Sequence, residues 1–252
     1  MSEMDTGLDF SMVIASTVHD MKNALATLIQ AHGQWSGRLS DAQRDTPEHG
    51  VIDYEFANLN GMLVQLLGLY KLGVNQLPLR PDYHELDDFI EAQLALHHEV
   101  LSSRGITATY KVNSSNPLGF FDRELIGSVV ANIIINAIRF ARRTVVINVA
   151  EAPDGLVITI NDDGPGYPLQ MLERQSDYVQ GINQASGSTG LGLYFAARIA
   201  ESHERNGIQG RIEIANGAVS VADYSAFTCR EQRADGSQAG PSLLLSLSGS
   251  SR

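Results

Sequence analysis

A single cysteine, Cys229, stands in the chain of 252 residues, which excludes an internal disulfide and any metal cluster held by several thiolates. Long apolar runs are missing as well: none approaches the roughly 18 residues that a bilayer crossing needs. The first residues, Met1 to Asp5, are polar and acidic, unlike the basic-then-apolar start of a secreted chain. Positive charge is scarce, with 18 Lys and Arg against 29 Asp and Glu and a formal charge of −11. That balance argues against nucleic acid as a partner, because non-specific binding depends on a basic footprint. It does not exclude a nucleotide, since local backbone amides and Mg²⁺ offset a global negative field. The expected setting is cytoplasmic, without membrane insertion. What is present is a hydrophobic content of 43%, enough for a core in one large or two small domains.

Two glycine clusters organise the rest. Asn161-Asp-Asp-Gly-Pro-Gly166 closes the alternating run Leu156 to Ile160, which reads as a buried strand. Twenty residues later, Gly187-Ser-Thr-Gly-Leu-Gly-Leu193 opens into an amphipathic helix start at Tyr194 to Ala200. An acid at a strand end and glycines at a helix N-terminus expose an acceptor and free backbone N–H groups to one ligand. A base carrying phosphates is such a ligand. Glycines that only make turns are the competing explanation, and two clusters at element ends weigh against it. Either Asp162 or Asp163 can accept from the exocyclic amine of adenine. Asp162 is preferred for that contact, with Asp163 facing solvent. Gly164 and Gly166 let the backbone bend close to the base. Residues 167–186 read as a polar flap over the nucleotide.

The chain before these clusters divides in two. Ile14, Val18, Met21, Leu25, Leu28 and His32 draw one stripe on a helix over 10–32. Gly33, Gly37, Pro47 and Gly50 mark a flexible connection over 33–50. A second stripe follows in Ile52, Phe56, Leu59, Leu63, Leu66 and Tyr70, ending near Gly73. Both stripes run about twenty residues without a formal charge, the pattern of a hairpin that doubles into a four-helix bundle. Packing of the hairpin on its own chain is the alternative. Pro78 and Pro81 stiffen a linker over 75–81. Beyond it, helices are expected over 86–101 and 122–141 and from the second glycine cluster to about Glu204. Strands are expected over 106–112, 144–149, 156–160, 211–215 and 242–248, with a turn at 117–121. Residues 217–240 carry only a weak strand signal around 226–229. The order implies a two-layer α/β sandwich.

Three groups of polar residues stand out as chemical. Asn132 and Asn136 share one face of the almost wholly apolar helix over 122–141. Two carboxamides there need partners, either Mg²⁺ and triphosphate oxygens or a neighbouring strand. Arg139, one turn on, either adds positive charge toward the phosphates or faces solvent. His19 lies about 100° round the first helix from the Val18 stripe and so faces outward. Asp20 beside it favours attack by a ring nitrogen on a phosphoryl group, and Asn23 sits one turn further along that face. Taken alone, an exposed His beside an Asp is an ordinary surface feature.

In order and spacing these pieces resemble a two-component sensor histidine kinase core. His19-Asp-Met-Lys-Asn23 is similar to the phosphoacceptor box, and Asn132-Ile-Ile-Ile-Asn-Ala-Ile-Arg-Phe140 to the asparagine box of the ATP-binding domain. The two glycine clusters are similar to its two glycine boxes. The resemblance implies an α-helical hairpin forming a dimeric four-helix bundle over 10–74. Over 82–249 it implies an α/β two-layer sandwich of the histidine-kinase/GHKL ATPase type. It implies ATP and Mg²⁺ as cofactors, with Asn136 as metal ligand, Asn132 on the phosphate side and Asp162 on adenine. Arg139, Gly164, Gly166, Gly187, Thr189, Gly190, Leu191 and Gly192 complete the nucleotide site. His19 then accepts the γ-phosphoryl group and passes it to an aspartate of a response-regulator receiver domain. Asp20 assists the transfer, and Asn23 serves a reverse phosphatase reaction.

The sequence departs from the family pattern at Ser128, where a charged or amide residue is usual, and at Ala24, where proline is common. Nothing before the first helix reads as an input domain, so a separate sensor or regulator is an expected partner. Two other functions fit the scaffold: a histidine phosphotransferase relaying phosphate between receiver domains without ATP, and a non-catalytic, ATP-switched regulatory binding protein. Neither the phosphotransferase nor a domain that has lost nucleotide binding has a chemical need for Asp162, Gly164, Gly166, Gly190 and Gly192 together.

Overall fold

A computed structural model of the chain describes residues 10–40, 43, 46–74, 77–114, 116–152, 155–173, 191–205, 207–217 and 241–248. Its first two helices, α1 (Phe10–Ser36) and α2 (Pro47–Gly73), pack together as a hairpin. Both exceed the predicted ranges. α1 continues through Gly33 and closes where the Gly37 N–H donates to the Gly33 carbonyl at 2.9 Å. α2 starts at Pro47 because Thr46 caps it: the Thr46 hydroxyl accepts from the His49 N–H, and proline at the first turn loses no helical hydrogen bond. A proline expected to break the chain begins a helix instead.

The hairpin uses two faces. Between its own helices it buries Val18 and Leu25. Toward the rest of the chain α2 turns Tyr54, Gln65 and Gly68. The Arg104 guanidinium sits 4.3 Å above the Tyr54 ring, and a Cβ on Gly68 would come within 2.5 Å of the Phe195 ring. Met21, Leu28, Ile52, Leu59 and Leu66, all members of the two stripes, remain exposed.

After the hairpin come β1 (Asp82–Glu85), α3 (Leu86–Leu96), α4 (His98–Ser103), β2 (Thr107–Asn113) and β3 (Leu118–Phe121). β1 and β3 pair antiparallel, where a turn was expected over 117–121. The single helix expected over 86–101 is divided at His97, whose buried ring Nδ1 donates to the Gln93 carbonyl at 2.7 Å. Burial lowers the His97 pKa, against the opposing effect of that hydrogen bond, so the ring is neutral.

The remaining elements are α5 (Arg123–Phe140), β4 (Thr144–Ala152), β5 (Gly155–Asp162), α6 (Leu169–Glu173), α7 (Leu191–Ser202), β6 (Glu204–Arg205), β7 (Ile208–Gln209), β8 (Arg211–Asn216) and β9 (Pro241–Ser248). Five strands form one sheet in the order β2-β4-β5-β9-β8, and only β2 and β4 run parallel. β9, last in sequence, lies between β5 and β8. β5 is buried from Leu156 to Ile160.

Helices α5 and α7 pack on the sheet and share one core with it. On α5, Ile126, Val129, Val130, Ile134 and Ile138 are fully buried, which contributes on the order of 10 kcal/mol before conformational entropy is subtracted. Asp122 starts that helix as predicted, accepting from the Glu124 and Leu125 N–H groups at 3.1 and 3.0 Å. It also accepts from the Arg80 N–H at 2.9 Å, and its own N–H donates to His203 Nε2 at 3.1 Å. The end of the linker, α5 and the end of α7 are thereby joined at one residue. Among the described residues no helix is long and apolar enough to cross a membrane. The weak strand signal around 226–229 lies outside the described residues, as does the flap beyond Glu173.

Candidate nucleotide site

Asn132 is where three helices meet. Its side chain is buried, and its Oδ1 accepts from Gln65 Nε2 of α2 at 2.7 Å. Its Nδ2 is buried without a hydrogen-bond partner among the described residues. Gly192, in the first turn of α7, approaches from the other side; a Cβ there would lie 2.8 Å from both amide atoms. Asn132 of the asparagine pair and Gly192 of the second glycine cluster are therefore in direct contact. Leu191 is exposed beside it, while Gly187, Thr189 and Gly190 lie outside the described residues.

One turn along α5, the half-exposed Asn136 has no hydrogen bond among the described residues. Arg139 follows, half-buried, its guanidinium 5.4 Å from the Phe140 ring centre. Ser128, at the position where the resemblance expects a charged or amide group, bonds back to the Leu125 carbonyl at 2.7 Å. It is occupied by its own helix.

The C-terminal end of α5 abuts the turn after β5. A Cβ on Gly164 would lie 2.7 Å from the Phe140 carbonyl and 2.6 Å from Asp162 Oδ1, so only glycine fits. The Gly164 N–H donates to Asp162 Oδ1 at 2.8 Å. Burial raises the Asp162 pKa to about 6, with Asp163 adding in the same direction and the Gly164 N–H opposing. Asp163 does face outward, but it is not idle. It accepts from the Arg142, Arg143 and Thr144 N–H groups at 2.8 to 3.1 Å, pinning the α5–β4 connection. Partial burial pushes its pKa up, and those three donors outweigh it and hold the carboxyl below its ordinary value.

Gly166 has φ +87°, a conformation that side chains resist. Asn216 of β8 crowds it and clamps Tyr167 reciprocally, accepting from the Tyr167 N–H at 2.7 Å and donating to the Tyr167 carbonyl at 2.9 Å. Gln65 and Asn216 were not singled out from sequence. Each acts from an element remote in the chain, and neither belongs to a local motif.

These residues fit an adenine nucleotide. An orphaned buried N–H₂ at Asn132 supplies a donor for a phosphate oxygen, since a buried donor without a partner costs about 1–3 kcal/mol. The Asn136 carbonyl is an oxygen ligand of the kind Mg²⁺ prefers. Asp162 offers an acceptor beside a glycine turn.

The His19 group lies apart, on α1. The ring is exposed, with side-chain exposures of 64% for His19 and 77% for Asp20. His19 Nδ1 lies 3.3 Å from Asn23 Nδ2 and 3.7 Å from Asp20 Oδ1. α1 passes unbroken through Ala24, so the kink that proline would impose is absent. None of the described hydrogen bonds or ion pairs joins His19, Asp20 or Asn23 to the nucleotide side.

Residues 121–237 match the family described as histidine kinase-, DNA gyrase B-, and HSP90-like ATPase. The adaptive-response sensory kinase SasA of Synechocystis sp. is 28% identical over 121 residues, 46% of this chain and 32% of that protein. Sensor protein KdpD of Mycobacterium tuberculosis is 25% identical over 223 residues, 84% of this chain and 24% of KdpD. The chain thus spans about a third or less of the length of these curated relatives. Full-length ShkA in complex with AMPPNP superposes with a TM-score of 0.59 at 16% identity, covering 95% of this chain and 47% of ShkA. Histidine kinase ThkA in complex with response regulator protein TrrA gives 0.52 at 16% identity, covering 94% of this chain and 61% of that one. Both structures share the fold.

The Gln65–Asn132 bond is open to a direct test. In a double-mutant cycle of Gln65→Leu and Asn132→Leu, followed by urea unfolding, the coupling is expected to be about 1–2 kcal/mol. Additive single effects would mean that the bond contributes nothing to joining α2 to α5.

Proposed function

We propose that this chain is a protein-histidine kinase, a reading supported by the match of residues 121–237 to the family described as histidine kinase-, DNA gyrase B-, and HSP90-like ATPase. It moves the γ-phosphoryl group of ATP to His19, and from there to an aspartate of a response-regulator receiver domain. The observation that carries this reading is the orphaned Nδ2 of Asn132, buried beside Gly192 and one turn from the unengaged Asn136. A phosphotransferase that never met ATP would have no use for such a donor.

The chemistry supplied by bound ATP–Mg²⁺ is an activated phosphoryl group. Asn132 would donate toward its phosphate oxygens, Asn136 would hold Mg²⁺, and Asp162 would accept from the adenine amine. Arg139 adds positive charge at the same end of α5. Gly164 and Gly166 bring the backbone to the base, and the helix start at Leu191 and Gly192 offers N–H groups to the phosphates; Gly187, Thr189 and Gly190, assigned to the same site by sequence motif, lie outside the described residues.

At the receiving end, one ring nitrogen serves two masters. When Nδ1 carries the proton, Asp20 accepts it and Nε2 has the free lone pair; Nε2 then forms the P–N bond as the bond from the γ-phosphorus to its bridging oxygen breaks. Asp20 stabilises the positive ring that results. When Asn23 donates to Nδ1, Nε2 bears the proton and the ring is no nucleophile. The geometry at 3.3 Å for Asn23 and 3.7 Å for Asp20 supports a ring poised between transfer and a reverse phosphatase role for Asn23. The exposed stripe residues Met21, Leu28, Ile52, Leu59 and Leu66 support a homodimer formed through the hairpin, because an apolar stripe of this length on a monomer calls for a partner.

Three measurements test this reading. Purified protein given γ-labelled ATP and Mg²⁺ is expected to take up acid-labile, base-stable label, lost in His19→Gln and in Asn136→Ala. Label on His19 only from a phosphorylated receiver would make it a phosphotransferase, and label from neither donor would sink both enzymatic readings. Nucleotide affinity, read by titration calorimetry, is expected to fall as pH drops through about 6. The raised pKa of Asp162 sets that window: below it the free carboxyl is protonated, and binding needs the ionised acceptor. Asp162→Asn is expected to flatten this profile, and an unchanged profile would place the adenine contact elsewhere. Light scattering is expected to give a dimer that Leu59→Glu converts to monomer; a wild-type monomer at tens of micromolar would refute the bundle.

A further inference from the structure

The closed end of the hairpin holds a second polar cluster that takes no part in the kinase reading. His32 of α1 faces His49 and Asp53 of α2, the latter two one helical turn apart and so on one face. His32 Nδ1 lies 3.4 Å from Asp53 Oδ1, and His49 Nδ1 lies 3.0 Å from Asp53 Oδ2. One ligand atom from each residue falls within 4.8 Å of the others. The side chains are only 14%, 12% and 16% exposed. His32 Nε2, the ring nitrogen other than the one near Asp53, is buried without a partner among the described residues.

We propose that His32, His49 and Asp53 form a binding site for a divalent transition-metal ion of the zinc class, bridging α1 and α2. A tetrahedral zinc ion with bonds of about 2.0–2.1 Å sets its ligand atoms about 3.4 Å apart; the 3.4 and 3.0 Å approaches are of that size but reach different Asp53 oxygens, so side-chain rotation draws the three ligand atoms, already within 4.8 Å of one another, onto one ion. Two imidazoles and one carboxylate are the N/O donor set that zinc accepts, whereas Mg²⁺ favours oxygen throughout. The surroundings agree with this choice. A His49 ring bound through Nδ1 carries its proton on Nε2, and Ser36 Oγ lies 2.7 Å from that nitrogen, ready to accept it. Trp35 and Phe56 pack on the His32 ring at centroid distances of 5.7 and 5.3 Å, restricting its rotation. Three protein ligands leave one position for water or a small exogenous donor.

His32 lies 13 residues beyond His19 on the same helix, about 20 Å along its axis. An ion bound at the closed end therefore locks the axial register of α1 against α2, the pair that carries His19, without touching the phosphoacceptor.

The test uses the full chain after chelator treatment. Zn²⁺ uptake is measured by competition with a chromophoric chelator, and Co²⁺ uptake by its visible absorption. One ion per chain is expected, with a cobalt spectrum of tetrahedral type and a raised melting temperature. His32→Ala and His49→Ala are each expected to weaken uptake about 100-fold, and Ser36→Ala about 10-fold. Asp53→Asn keeps the side-chain shape and is expected to weaken uptake as well. Unchanged circular dichroism and nucleotide binding in these variants establish that the fold is intact. No saturable uptake by the wild type overturns the proposal, as does uptake equal to wild type in a folded His32→Ala/His49→Ala protein.

Discussion

The buried amide of Asn132 is the contact on which the arrangement of the helices depends. A carboxamide at the centre of an apolar helix has to be satisfied or it destabilises the fold, and here one half of it is satisfied by Gln65, 67 positions away in sequence. That bond sits between α2 and α5, so the helical hairpin and the helix that carries Asn132 and Asn136 share an interior polar contact. The other half, Nδ2, stays without a protein partner. Gly192 keeps α7 close enough that no side chain could stand between. The fold thus keeps one donor unsatisfied where a phosphate is proposed to bind.

A similar division of labour appears in the two adjacent aspartates. Asp162 is drawn inward and its carboxyl is pushed up to about 6 by burial. Asp163, next along the strand end, is held ionised by backbone N–H groups of the α5–β4 connection. One carboxylate is costly to ionise and faces the proposed base. The other is easily ionised and holds the loop against which the first is placed. Their roles separate because successive residues of a strand point to opposite sides.

The nucleotide side was more legible in the sequence than the hairpin's surroundings. The asparagine pair, Asp162, Gly164 and Gly166 stand in local motifs whose spacing reports their element. The Asp122 cap and the β4–β5 pair were likewise readable from short-range patterns. What escaped was set by neighbours. β1 and β3 are four residues each and persist only because they pair with one another. The helix over 86–101 divides at a histidine whose ring donates to the Gln93 carbonyl one turn back. Thr46 and Pro47, read as part of a break, are a cap and a first turn, and the same residue types serve either purpose until the following helix has somewhere to pack.

From sequence alone the order of the main helices and of the five strands of the large sheet was legible, together with the outward placing of His19, since each rests on periodicity or on residues a few positions apart. The tertiary structure alone decided which face of α2 meets its own chain, that Gln65 completes Asn132, that Asn216 clamps Tyr167, and that His32, His49 and Asp53 converge. Apart from the His49–Asp53 pair on one turn of α2, these are contacts between residues 17 or more positions apart. Sequence spacing carries no information about such distances until the chain has closed on itself.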